Sequence, residues 1–416
     1  MQLTRRFFLK SSGIALVGLG AVPRFLARAA ATTAGKGKML VVIFQRGAAD
    51  GLNIVVPHAE KSYYDLRPTI AIPRPSRSDE QAALDLDGFF GFHPALAPFK
   101  QLYDDGLLAA VQAAGSPDST RSHFDAQDFM ESGTPGRKST ADGWLNRYLQ
   151  TQRAEQESSF RGVSLTPQLP RILQGSAQAL AIPNLTQFGI NAGPYTRMVR
   201  GSLGALYGDS SDALLGSAGK EALEAVELLE SVNPSQHEPA HGADYPPGPF
   251  GQVMRQVAQL VKSDLGVEIL FAEVGGWDHH VNEGASQGQL ANLLRQFSRG
   301  VGALVRDLGD RMDDVVIVTL SEFGRTAFEN GNGGTDHGHA NALFVVGGPV
   351  RGGKVYGTWP GLEREQLYQG RDLALTTDFR DVLAEVLLHH MGATGLEAVF
   401  PGYEVNPERF RRFLRS

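Results

Sequence analysis

Five nearly continuous apolar runs of strand length constrain most strongly what this chain can fold into. They are "MLVVIFQRG" (Met39–Gly47), "LLAAVQAAG" (Leu107–Gly115), "VEILFAEVGG" (Val267–Gly276), "DVVIVTLSEFG" (Asp314–Gly324) and "ALFVVGG" (Ala342–Gly348). Runs without polar alternation are typical of strands that are buried on both faces, as in a parallel sheet covered by helices. The chain therefore needs helical segments that cover two faces of a sheet.

Helical patterns of the required kind lie between these runs. They span Pro94–Tyr103, His123–Met130, Trp144–Gln152, Lys220–Val232, Phe250–Val261, Gly288–Leu308 and Asp378–His390. Alternation of strands and helices predicts an α/β fold with a mainly parallel central sheet. The chain is long enough for a substantial core.

The first 31 residues are predicted to be an export signal. The segment "TRRFFLK" (Thr4–Lys10) closely resembles the twin-arginine consensus, and an apolar run follows that is shorter than the ~20 residues of a membrane span. We expect export through the twin-arginine translocase to the periplasm or beyond, without a stable membrane span; an N-terminal anchoring helix is the alternative. Residues 38–416 would form one α/β domain, with an insertion or cap around 160–250.

Composition excludes several classes of function. The chain contains no cysteine, so disulfides, thiolate chemistry and cysteine-type zinc sites are ruled out. The signal carries five basic and no acidic residues, and its removal would change the formal net charge from −6 to −11. Such an acidic protein is not expected to bind nucleic acid.

Polar groups of the kind that bind metals follow two of the predicted strands. Asp50 lies in "FQRGAADGLN", and Asp278 and His280 lie in "GGWDHHVNEG" after two glycines. Ligands of parallel sheets bind beyond the carboxyl ends of the strands, where such loops converge. The alternatives are an Asp-Gly turn for Asp50 and a surface turn for the other two.

Two further clusters surround the last predicted strands. Glu322 follows the fourth run in "LSEFGRT", where it could bind a metal while Arg325 binds an anionic oxygen of a substrate; a plain ion pair is the alternative. "GTDHGHAN" then places His337 and His339 before the fifth run, with Asp336 as a supporting partner. A structural role in a turn is the alternative for these histidines.

Candidate nucleophiles lie in "SPDSTRSHFDAQDFMESG". Thr120 and Ser122 precede a predicted helix, whose N-terminal N–H groups favour a bound anion or an alkoxide. Ser122 followed by Asp125 is also typical of an ordinary helix cap. The sequence does not separate the two hydroxyl groups.

Six long motifs resemble the DUF1501 family of exported bacterial proteins. They are "RGAADGLNIVVPHAEKSYYDLRPTIAIP", "HPALAPFKQLYDDGLLAAVQAAG", "TRSHFDAQDFMESG", "EVGGWDHHVNEG", "TLSEFGRTAFENGNGGTDHGHAN" and "GGKVYGTWPGL". That family has no settled activity, but it is similar in layout to the alkaline phosphatase and sulfatase superfamily. The resemblance implies a three-layer α/β/α sandwich with metal ligands at strand ends.

The resemblance also implies roles for individual residues. In the order of the superfamily, Asp50 matches the early aspartate, the Thr120 to Ser122 region matches the nucleophile, and Asp278 with His280 matches the later pair. Glu322 matches a carboxylate after an apolar strand, and the late histidine is His337 or His339. Phe323 and Asn282 stand where the superfamily commonly has histidines, so these two positions depart from the pattern.

Together these observations predict an exported metal-dependent hydrolase acting on a small anionic substrate, a phosphate or sulfate ester. The predicted metal ligands are Asp50, Asp278, His280, Glu322, His337 and His339, and the predicted catalytic residues are Ser122, Thr120 and Arg325. Zinc suits the imidazoles, whereas calcium, magnesium or manganese would suit the carboxylates. The alternative is a non-catalytic periplasmic binding or assembly protein with the same fold.

Overall fold

The computed structural model describes residues 37–152, 160–186, 196–208 and 236–415, with residue 158 and scattered positions between 223 and 230. The predicted export signal lies outside these residues, as does most of the helix predicted over Lys220–Val232. In the described part of the chain, none of the helices combines the length and the apolar character that crossing a membrane requires.

The predicted α/β class is confirmed, and all five apolar runs form strands of one sheet. In chain order the strands are β1 (Met39–Gln45), β2 (Val55–Val56), β3 (Leu84–Asp85), β4 (Gly91–Phe92), β5 (Leu108–Gly115), β6 (Gly162–Ser164), β7 (Leu180–Ala181), β8 (Ile269–Val274), β9 (Val315–Ser321), β10 (Asn341–Gly347), β11 (Lys354–Tyr356) and β12 (Thr377–Asp378). The main sheet has the order β11-β5-β10-β9-β1-β8-β6-β7, and β12 pairs with β5. Strands β2, β4 and β3 form a small separate sheet.

The main sheet is parallel except at β10. Strand β1 runs parallel to both of its neighbours, with Val42 opposite Phe271 of β8 and Val318 of β9. Strand β10 runs antiparallel to β5 and β9. The start of β10 therefore lies at the edge where the parallel strands end, so the loop before β10 meets the loops after the others.

The helices form a layer on each face of the sheet. They are α1 (Gly51–Ile54), α2 (Lys61–Leu66), α3 (Ala97–Asp104), α4 (His123–Ser132), α5 (Trp144–Thr151), α6 (Thr196–Gly208), α7 (Pro249–Lys262), α8 (Gln289–Leu308), α9 (Phe379–His389) and α10 (Leu396–Val399), and 3-10 turns span Pro94–Leu96, Arg171–Leu173, Gly309–Asp314 and Pro407–Arg409. Apolar residues of α3, α7 and α8 pack on one face, and those of α5, α9 and α10 pack on the other.

Successive residues of β1 show how one strand contributes to both layers. Val41 and Ile43 point into the core under α7 and α8, whereas Val42 and Phe44 point into the core under α5 and α9. Because side chains alternate along a strand, a strand covered on both faces must be apolar throughout. The three-layer prediction is confirmed for this reason.

The insertion or cap predicted around 160–250 stays a prediction. Within this range β6 and β7 extend the main sheet at its edge, next to β8. Residues 187–195 and 209–222 lie outside the described residues.

A buried pair of carboxyl groups connects the loop after β1 with the loops after β8 and before β10. Arg67 binds both carboxylate oxygens of Asp50, and both side chains are buried. Glu283 is buried near Asp50 and accepts a hydrogen bond from the Thr335 hydroxyl at 3.0 Å. Burial and the charge of Asp50 raise the pKa of Glu283 well above its usual range, which favours its protonated form.

We expect Glu283→Gln to remove a pH dependence of stability. Because the pKa of Glu283 is raised in the folded state, its contribution is complete below the unfolded pKa of about 4.3 and is lost as the pH rises toward the raised value. Over that interval the free energy of unfolding of the wild type should fall by up to about 1.4 kcal/mol per pH unit. A glutamine side chain keeps a neutral hydrogen-bond donor and takes up no proton, so the variant should lack this pH dependence.

Urea unfolding of wild type and Glu283→Gln over a series of pH values tests this expectation. Glu397→Gln, at an exposed position, is the matched control and should follow the wild type. Parallel stability curves for wild type and Glu283→Gln would contradict the assignment of the buried proton.

Candidate metal centre

Four side chains meet at the edge where the parallel strands end. His123 is the first residue of α4, which follows β5; Asp278 and His280 lie in the loop after β8; His337 lies in the loop before β10. In the loop after β8 the chain bends at Gly276, whose φ of +94° favours a residue without a side chain. Distant segments thus supply the cluster, which we call the HDHH cluster.

The polar atoms of the HDHH cluster lie within contact distance of one another. Nε2 of His337 is 3.0 Å from Nε2 of His123 and 2.9 Å from Nε2 of His280. Oδ1 of Asp278 is 3.0 Å from Nε2 of His280 and 3.3 Å from Nε2 of His337, and its Oδ2 is 3.5 Å from Nε2 of His123. Asp278 and His337 therefore each contact both His123 and His280.

The other ring nitrogen of each histidine is bound to an acceptor. Nδ1 of His337 donates to the carbonyl oxygen of Arg121 at 2.8 Å. Nδ1 of His123 faces Oε1 of Glu322 at 2.8 Å, and Nδ1 of His280 faces Oδ1 of Asp336 at 3.1 Å. Because a neutral imidazole carries a single N–H group, donation from Nδ1 leaves a lone pair on Nε2. Three lone pairs and a carboxylate then face one another.

This arrangement fits a bound cation. Converging lone pairs without a proton or a cation between them repel, whereas a metal ion binds all of them. Tetrahedral zinc with Zn–N bonds near 2.05 Å would separate its nitrogens by about 3.3 Å, close to the 3.0 and 2.9 Å that separate Nε2 of His337 from those of His123 and His280. His123, Asp278 and His337 alone place their ligand atoms within 4.8 Å of one another. Imidazole and carboxylate donors suit zinc better than calcium or magnesium.

Protonated imidazoles are the alternative to a metal. A proton on one Nε2 atom could be donated to the next ring, and Glu322 favours that state because its hydrogen bond raises the pKa of His123. Burial acts in the other direction on His337 and lowers its pKa. Burial thus favours the neutral form of His337, which is the form that binds a metal.

Glu322 holds His123 and does not face the cluster. Its Oε1 accepts hydrogen bonds from the N–H of Gly47 at 2.9 Å and from Nε2 of Gln127 at 2.8 Å, in addition to His123. Burial opposes its ionisation, but the bonds from His123 and Gln127 outweigh burial and lower the pKa of Glu322. A charged glutamate behind a histidine fixes the ring and makes its nitrogen a better ligand.

Arg325 also lies behind the cluster, although the sequence predicted a contact with substrate. Its side chain is fully buried, and its Nη2 contacts Oδ1 of Asp278 at 2.5 Å. The remaining N–H groups bind the carbonyl oxygens of Gly47, Ala48, Trp277 and Thr335. Burial opposes ionisation of Asp278, but Arg325 outweighs it and lowers the pKa of Asp278. A guanidinium engaged in this way cannot reach a substrate anion.

Two other predicted ligands lie away from the cluster. Both oxygens of Asp50 are bound by Arg67, as described above. His339 is buried and stacks on the ring of Tyr368, with 4.2 Å between ring centroids. The structure thus brings together Asp278, His280 and His337 from the predicted set, and leaves out Asp50, Glu322 and His339.

His123 is the cluster member that the sequence analysis did not select. It lies directly after Ser122, inside the segment searched for a nucleophile, where a histidine in the first turn of a helix has no distinctive spacing to another ligand. The signal that could have identified it is the missing imidazole at Phe323, whose ring lies 5.0 Å from the rings of both His123 and His337.

The two candidate hydroxyl groups differ in their surroundings. Ser122 caps α4 through its backbone, but its side chain makes no capping hydrogen bond and is exposed. The Thr120 hydroxyl accepts a hydrogen bond from the Ser122 N–H at 3.2 Å and so orders the turn. Ser122 is therefore the freer hydroxyl, one residue away from His123.

Comparison with known proteins confirms the resemblance seen in the motifs. The family described as "Protein of unknown function (DUF1501)" matches residues 108–400. None of the curated proteins matches the chain significantly.

Several solved structures share features of the fold at low similarity. Ps i-CgsB in complex with k-i-k-neocarrahexaose has 11% identity and a TM-score of 0.38, over 87% of this chain and 74% of that one. The C-terminal periplasmic domain of EcEptC from Escherichia coli, in complex with Zn, has 9% identity and a TM-score of 0.36, over 75% and 73%. The lipoteichoic acid synthase LtaP from Listeria monocytogenes has 8% identity and a TM-score of 0.32, over 76% and 66%.

We expect His337→Ala to abolish tight zinc binding and His339→Ala to preserve it. The two residues lie in one loop, but only the first has its Nε2 atom in the HDHH cluster. Metal content after dialysis against a weak chelator, measured by mass spectrometry, should show about one zinc per chain in the wild type and in His339→Ala. Equal zinc content in both variants would contradict the assigned ligands.

Glu322→Gln should weaken zinc binding without abolishing it. The amide keeps the shape of the side chain but loses the charge that holds His123, and such supporting changes lower metal affinity by about 10- to 100-fold. Competition with a chromophoric chelator measures the affinity. A variant with wild-type affinity would show that Glu322 only shapes the loop.

Proposed function

We propose that this chain, which belongs to the DUF1501 family, is an exported metal-dependent hydrolase of phosphate or sulfate esters. The observation that carries the proposal is the convergence of three Nε2 atoms and the Asp278 carboxylate, each imidazole being held from behind by an acceptor. The proposed ligands of a single zinc ion are His123, Asp278, His280 and His337. Export rests on the predicted twin-arginine signal.

The metal ion would polarise an ester oxygen and lower the pKa of a bound hydroxyl group or water. The cluster is open enough for this role, since the side chains of Asp278 and His280 are 45% and 39% exposed. A substrate can therefore approach from solvent, while Arg325 and Glu322 hold the ligands in place from the protein side.

Ser122 is the proposed nucleophile. Its hydroxyl is exposed and free of capping bonds, and the residue precedes His123 at the N-terminus of α4, where N–H groups and the helix dipole stabilise negative charge. Thr120 would order the turn that contains Ser122, because its hydroxyl accepts a hydrogen bond from the Ser122 N–H. A water molecule in place of Ser122 would give the same net hydrolysis.

A binding or assembly function is the second candidate, and one observation favours it. Arg325 is buried, and Arg121 and Arg371 both lie near Asp372, so the described cations around the cluster already have carboxylate partners. Hydrolases of anionic esters commonly use a free cation to stabilise developing charge. A protein that binds a metal and an anion without turnover would not need one.

Assays on a panel of aryl phosphates, phosphodiesters and sulfates distinguish the two candidates. The hydrolase proposal expects turnover that requires zinc and is lost in Asp278→Ala, with His339→Ala as the matched control that keeps it. Stoichiometric zinc without hydrolysis of any panel member would favour the binding protein. A wild type that binds no zinc would contradict both.

Ser122→Ala tests the choice of nucleophile separately from metal binding. If the hydroxyl attacks the ester, the variant should keep its zinc and lose at least about 100-fold in kcat, since covalent catalysis is removed. Thr120→Ala should have a smaller effect, because that hydroxyl would only support the turn. Unchanged kcat in Ser122→Ala would assign the attack to water.

A further inference from the structure

Exposed apolar side chains occur in the three segments that supply the HDHH cluster. Five large apolar side chains are exposed within the described residues, and three of them are Phe124, Val281 and Phe328, at 89%, 51% and 39%. The other two lie in α6, away from the site in sequence. An apolar group left in water forgoes the stabilisation of burial, so a concentration of such groups at one place points to a binding surface.

Two of the three follow metal-site residues directly in the chain. Phe124 follows His123, and Val281 follows His280, so each backbone is one Cα–Cα step of about 3.8 Å from a cluster residue. The Nε2 atoms of these two histidines both contact that of His337, at 3.0 and 2.9 Å. Phe124 and Val281 are therefore exposed apolar residues that are each one residue away from a histidine of the HDHH cluster.

Phe328 lies in the loop before β10, which also supplies His337 to the HDHH cluster. The N–H of Thr326 donates to the Asp336 carbonyl oxygen, and Asp336 contacts Nδ1 of His280 at 3.1 Å. Phe328 lies two residues beyond Thr326, whose hydroxyl donates to the Phe328 carbonyl oxygen at 2.8 Å. Backbone and hydrogen bonds of this segment therefore connect Phe328 with the histidine that precedes Val281.

We propose that the substrate carries an aromatic or other apolar group next to its anionic ester, and that Phe124 is the main residue that selects it. This inference rests on the proposed metal site. A cation in the cluster would bind the anionic end, and the remainder of the molecule would extend along these exposed apolar side chains toward solvent. Burial of a phenyl ring against Phe124, with Val281 beside it, favours apolar esters over polar ones.

Two phosphonates of different polarity test the inference without requiring turnover. Isothermal titration calorimetry of the zinc-loaded wild type should show phenylphosphonate binding about tenfold more tightly than methylphosphonate, since an apolar group is worth about 10- to 200-fold in such sites. Phe124→Ser should reduce the ratio to about two or less, and Phe124→Leu should restore part of it. Leu206→Ser, an exposed apolar residue of α6, is the matched control and should keep the wild-type ratio.

The outcomes separate this inference from the proposed hydrolase. A phenyl preference that is lost in Phe124→Ser supports the apolar substrate even if no ester in the panel is hydrolysed. Hydrolysis with equal affinity for both phosphonates, or a preference that survives in Phe124→Ser, overturns the role of Phe124 and leaves the hydrolase intact. Absence of binding by either phosphonate overturns the inference.

Analytical ultracentrifugation provides a separate test. A dimeric wild type and a monomeric Phe124→Ser would assign the ring to contact with a second copy of the chain and would overturn its role in binding substrate.

Discussion

The arrangement of the site depends on the buried guanidinium of Arg325. It binds carbonyl oxygens in the loop after β1, in the loop after β8 and in the loop before β10, and it pairs with Asp278. Because the guanidinium is buried, its N–H groups need acceptors, and the carbonyl oxygens of these loops supply them. Three loops from distant parts of the chain are therefore held together by one side chain, and the HDHH cluster lies where they meet.

The carboxylates near the site differ in the groups that they bind. Asp50 is bound by Arg67, Glu322 accepts bonds from His123, Gln127 and Gly47, and the Asp278 carboxylate faces the imidazoles. A buried carboxylate must be paired or neutralised, so each one that already has a partner is unavailable to a metal. These pairings favour a site for one ion, because guanidinium groups occupy the places that a second cation could have filled.

Aromatic groups make the surroundings of the cluster unusual for a site that would bind anions. Phe323 packs against His123 and His337 from the protein side, and Phe124 stands in solvent beside the first of them. Phe323 supplies no donor, but it excludes water from one side of the imidazoles and strengthens their electrostatic interactions. The aromatic residues on either side of His123 would suit the amphiphilic ester proposed above.

The sequence by itself determined the five long strands, the class of fold and three of the four residues of the HDHH cluster. A run such as Met39–Gln45 has no polar alternation, and only burial on both faces of a sheet is compatible with that pattern. Asp278, His280 and His337 could be selected because they lie in loops at strand ends, and ligands collect there in parallel sheets. These inferences need only local pattern and general rules of topology.

The tertiary structure alone decided which polar residues meet. Strand β10 is antiparallel, which brings His337 to the edge where β8 ends, and no local pattern specifies that direction. Arg325 and Glu322 look like functional groups in the sequence, and His123 does not; their roles follow from which partner each side chain finds in the fold. The physical reason is that a metal site is defined by distances between atoms far apart in the chain, and packing fixes those distances.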